Sequence, residues 1–103
     1  MPSASGNIIS QNGKKFIATF LIDEIQYSFA GSLDPSVQSF NCSNATLTYG
    51  SVGDLTTTRA YEGQVGVTKV TFTVANGAKL EGPLNLQISP ASTVAGNGTW
   101  TSN

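Results

Sequence analysis

The chain has 103 residues and a formal net charge of −1, from five Lys and Arg against six Asp and Glu. That length fits one domain, and the charge balance excludes a nucleic-acid binder, which needs a basic patch to neutralise phosphates. Histidine is absent and there is a single Cys, so His-based nucleophilic catalysis and zinc binding are excluded too.

Residues 1–13 read as a polar N-terminal arm or an edge strand, with Ile8 and Ile9 its one apolar pair; the rest, 14–103, reads as a single β domain. Lys14–Ile22 is the first clear strand. Phe16, Ala18, Phe20 and Ile22 share one face, and Ile17 and Leu21 on the other suggest a central or doubly covered strand. Asp23-Glu24 makes a tight polar connection to Ile25–Gly31, where Ile25, Tyr27 and Phe29 alternate with Gln26, Ser28 and Ala30. Asp34-Pro35 is a turn signal. Val37–Cys42 and Asn44–Tyr49 follow as short strands, or as one bent strand bulged near Ser43.

Gly50–Asp54 is a turn and Leu55–Tyr61 a Thr-rich strand. Gly63 and Gly66 mark a turn or bulge before Val67–Ala75, the most regular strand. Asn76-Gly77 is the strongest hairpin signal, because both residues tolerate the positive φ of a type I′ turn. The return strand runs Ala78–Glu81, breaks at Gly82-Pro83 and resumes as Leu84–Ser89; proline there implies an edge or a bulge. Ser92–Thr101 is the last strand. The expected fold is all-β: one antiparallel meander of about seven to nine strands, closed as a small barrel or curled into a two-sheet sandwich. Its inward set is Phe16, Phe20, Tyr27, Phe29, Leu47, Val70, Phe72, Leu84, Leu86, Ile88 and Trp100.

The polarity is carried by uncharged groups, with 12 Thr, 12 Ser, 8 Asn and 5 Gln. Cys42 has no partner for an intramolecular disulfide. The first residues lack the basic and apolar regions of a signal peptide, which implies a cytoplasmic protein or a mature secreted form without its leader. No apolar run is long enough for a membrane helix. Sequons at Asn41, Asn44 and Asn97 are no more than the Ser/Thr content generates. In composition alone the chain is similar to small defence lectins and other host-interacting β proteins.

Chemistry is scarce. A Ser–Lys pair would have to use Lys14, Lys15, Lys69 or Lys79, and none sits in a recognisable context. Asp23, Glu24, Asp34, Asp54, Glu62 and Glu81 fall in turns or at strand ends, where solvated charge is the ordinary role. Calcium would draw on Asp34 and Asp54, without the acid density of a calcium loop. The expectation is therefore a non-enzymatic binding protein without cofactor or metal. Its ligand would be a glycan or other small neutral molecule, taken by loop amides and hydroxyls with an aromatic ring. The named contacts are Trp100, Asn97 and Tyr61. Trp100 has two roles open to it: an indole exposed between small neighbours, or a plug for the core. Two further expectations stand beside this one. A loosely closed barrel would bind a hydrophobic or lipid ligand or touch membrane, and a structural or host-interaction module would need no small ligand. Low charge and rows of Thr would let edge strands pair into a homo-oligomer.

Overall fold

The computed structural model describes residues 3–11, 14–33, 40–51, 53, 55–75 and 77–102. They form six strands: β1 (Ser3–Gln11), β2 (Lys15–Ile22), β3 (Ile25–Ser32), β4 (Asn41–Thr48), β5 (Thr58–Val74) and β6 (Lys79–Ser102). Every pairing is antiparallel, in the order β3-β2-β1-β4-β6-β5. The end of β6, Gly98–Ser102, returns to pair with β3 and closes the sheet into a barrel. Of the two all-β closures expected, a small barrel or a curled two-sheet sandwich, the barrel is what forms.

The path differs from a simple meander. β1, β2 and β3 are consecutive neighbours, but β4 crosses over to lie beside β1, which is the Greek-key order. Ser3–Gln11, expected within an arm or an edge strand, are accordingly neither. β1 lies between β2 and β4 and buries Ile8 completely. Ile8 and Ile9 signalled a strand; the two-sided pairing that makes it central comes from elements elsewhere in the chain.

β2 and β3 meet in a two-residue turn whose Asp23 and Glu24 have φ of 50° and 68°. Positive φ at both central residues is the type I′ geometry that matches strand twist. The segments expected as Leu55–Tyr61 and Val67–Ala75 join in one strand, β5, bent at Gly66. There φ is +102°, and a Cβ would stand 2.7 Å from the Ile88 carbonyl oxygen, so glycine is required. The bend brings the two ends of β5 together, and Ala75 N–H donates to the Ala60 carbonyl at 2.9 Å. The three expected segments after Gly77 likewise merge into β6. The Asp34-Pro35 turn, Val37 to Ser39 of the proposed short strand, and Asn76 of the hairpin turn lie outside the described residues.

The core is aromatic. Phe16 stacks on Phe72 at 4.5 Å between centroids, Tyr61 stands edge-on to both, and Phe29 lies 4.7 Å from Trp100. Rings fill sockets left by glycine. A Cβ on Gly31 would fall 2.9 Å from the Phe16 ring, and one on Gly98 2.4 Å from that of Phe29. Of the expected inward set, Tyr27 and Leu84 are only partly buried and Leu86 points out, 81 % exposed. Leu86 leaves the alternation for a countable reason. Between the pairs Lys69↔Pro83 and Val67↔Ile88, β5 has one intervening residue and β6 has four. The surplus bows outward as a bulge and carries Leu86 with it.

Candidate functional site

The three residues expected to contact ligand do not form one site. Trp100 is 4 % exposed, packed on Phe29 within the core. Its indole therefore has no open face for a sugar, and the plug role is the one it fills. Tyr61 is equally buried, and its hydroxyl donates to the Ser32 carbonyl oxygen. It ties β5 to the end of β3 from inside the barrel. Asn97 is exposed, in a shallow depression of about 290 Å³ shared with Lys15, Ser32 and Ala30. The small residues around Trp100 suggested an open indole; Gly98 is small because the Phe29 ring occupies the space its side chain would take, while Thr99 and Thr101 are exposed.

A second depression has the lining that the composition led one to expect. Between β1 and β4 lies a groove of about 430 Å³ walled by Ser5, Asn7, Ser43, Asn44 and Thr46, with Gly6 and Ala45 beside them. Gly6 pairs with Ala45 and Ile8 with Cys42, so the register slips within the groove. A slip of this kind re-aims side chains and opens a ladder locally. One wall is fixed by Asn85, whose Nδ2 donates to Ser43 Oγ at 2.8 Å and whose Oδ1 accepts from Ser43 N–H at 3.2 Å. None of these lining residues is charged. The sequence marks none of them as a ligand contact, although Ser43 and Asn44 stand out as a bulge and a strand start, because residues 1–13 read as an arm or an edge strand and nothing local sets β1 beside β4.

A third cleft, also about 430 Å³, opens at the paired ends of β5. Ala60, Ala75, Ala95 and Val74 give it apolar walls, and Tyr61, Glu62, Thr73 and Gly77 complete it.

Titratable chemistry is thin among the described residues. No group of three or more His, Cys, Asp or Glu side chains comes together there. The ion pair they form is Lys79–Glu81, at 3.6 Å and half exposed. Burial pushes the Cys42 thiol up, against a smaller lowering from a backbone hydrogen bond with Asn44. Among the described residues no helix is long and apolar enough to cross a membrane. A scan of family models, a search of curated proteins and a search of solved structures each returned no match.

Proposed function

We propose that the chain is a non-enzymatic binding protein for a neutral ligand, most specifically a glycan, held in the groove between β1 and β4. The observation that supports this is the convergence of three hydroxyl and two amide side chains on one groove without a charged neighbour. Each amide offers donors and an acceptor and each hydroxyl offers both. That inventory matches the vicinal hydroxyls of a sugar and gives no advantage to an ion. Most of these groups sit on paired strands, so little ordering is needed on binding. Exchange of water for sugar hydroxyls is nearly neutral, about 0.5–1.5 kcal/mol per hydrogen bond. A single sugar would therefore bind weakly, and display at high density would be needed to detect it. The lipid reading has less behind it, because aromatic rings occupy the barrel interior.

A glycan array probed with labelled protein tests the proposal. Native protein should bind a defined subset of glycans. Asn44→Ala and Asn7→Ala should each lower the signal by about tenfold, the loss of one well-formed contact, while Asn97→Ala leaves it unchanged. Silence of the native protein across the array would reject glycan recognition. Loss of signal with Asn97→Ala alone would move the site to the Lys15–Ser32 depression.

A further inference from the structure

The outward bulge on β6 and the cleft at the ends of β5 lie at opposite ends of one bent hairpin. The bulge presents Leu86, 81 % exposed, with Val67, 43 % exposed, across the ladder. The register places Lys69 opposite Pro83, at the foot of the same bulge. The cleft offers methyl walls from Ala60, Ala75 and Ala95, and Glu62 lines it. Lys69 and Glu62 are both exposed, and neither takes part in an ion pair among the described residues. Seven residue steps separate Ala60 from Val67, about 23 Å of extended strand, so one molecule cannot fill its own cleft with its own bulge.

We propose that a second copy of this chain is the occupant: Leu86 of one molecule enters the alanine-walled cleft of the next, with Lys69 set against Glu62. The charges decide the choice of partner: Lys69 stands beside the knob and Glu62 lines the hole, while Lys79, opposite Thr73 of the cleft, is paired with Glu81. A net charge of −1 adds almost no repulsion between copies. The contact is heterologous: the surface used on one molecule is not the surface used on the other, so association continues in a row and does not stop at two. One leucine knob and one exposed ion pair bury far less than the ~1,200 Å² of a stable interface. The rows are therefore weak and concentration-dependent.

Sedimentation velocity on the native chain from about 10 μM to about 1 mM, the range of weak association, provides the test. The weight-average mass should climb with concentration past that of a dimer. Leu86→Ser removes the knob from a largely solvated position and should abolish the climb, with circular dichroism and melting unchanged. Lys69→Glu should weaken association severalfold, and Lys69→Glu combined with Glu62→Lys should restore it. A chain that stays monomeric at the highest concentration would overturn the proposal. So would a mass that plateaus at a dimer, or association that Leu86→Ser leaves intact.

Discussion

Trp100 and Tyr61 show how little a residue type says about its role until its neighbours are placed. Both are amphipathic rings with a polar handle, and both are used inside the barrel. The Tyr61 hydroxyl finds the Ser32 carbonyl, whereas the Trp100 Nε1 is buried without a partner among the described residues. For Trp100, packing area outweighs the cost of the orphaned N–H. A buried large aromatic contributes about 3–5 kcal/mol against Ala, whereas an unmade hydrogen bond costs about 1–3 kcal/mol. Trp100→Ala should therefore lower unfolding free energy by about 3–5 kcal/mol in urea denaturation. Tyr61→Phe keeps the ring and loses the tie to β3, and about 1 kcal/mol is the expected loss. A Trp100→Ala variant as stable as the native chain would show that the ring is not part of the core. Comparable losses for the two substitutions would show that the hydroxyl, and not ring packing, dominates Tyr61.

Strands were legible wherever inward residues alternated without interruption. Phe16, Ala18, Phe20 and Ile22 fixed the face of β2, and Phe72 and Val74 that of the second half of β5. The bend in β5 was also signalled in the sequence, by Gly63 and Gly66, and across it the buried set changes parity from Tyr61 and Val65 to Val70, Phe72 and Val74. Which strand lies beside which was not legible. The β1–β4 pairing spans more than thirty residues in sequence, as in Ile8↔Cys42, and local pattern carries no record of such partners. The proposed groove depends on that pairing, so its side chains were visible singly but not as a set. The β2–β3 hairpin allows a prediction at this scale. Asp23 and Glu24 both sit in the left-handed region, which Glu occupies poorly and Gly occupies freely. Replacing the pair by Asn-Gly supplies the favoured type I′ residues. It should stabilise the chain by about 0.5–1 kcal/mol, read as a raised denaturation midpoint. An unchanged midpoint would mean that the two acids hold the turn by contacts of their own.

For the molecule as a whole, stability rests on apolar packing, since the described core has no buried polar or charged residue. One pH-dependent contribution comes from Cys42, which lies in that core. Its thiol is 1 % exposed, on β4 and close to Gly82, where a Cβ would come within 2.5 Å of the sulfur. Burial raises its folded-state pKa above the ordinary thiol value. The folded chain therefore holds the proton more tightly than the unfolded chain does. The stability this contributes is complete below the unfolded pKa and is lost as pH rises through the folded one. Alkaline pH acts on the rest of the chain as well, so the contribution has to be isolated by difference. Urea denaturation of the native chain and of Cys42→Ala at pH 7 and at about pH 10, above the ordinary thiol range, makes that comparison. Cys42→Ala should be the less stable at pH 7, because it leaves a small void against Gly82. Between the two pH values the native chain should lose more stability than the variant, narrowing the gap between them. Parallel losses in both proteins would show that the thiolate gains water without unfolding the barrel, and that the strands around Gly82 open locally at little cost.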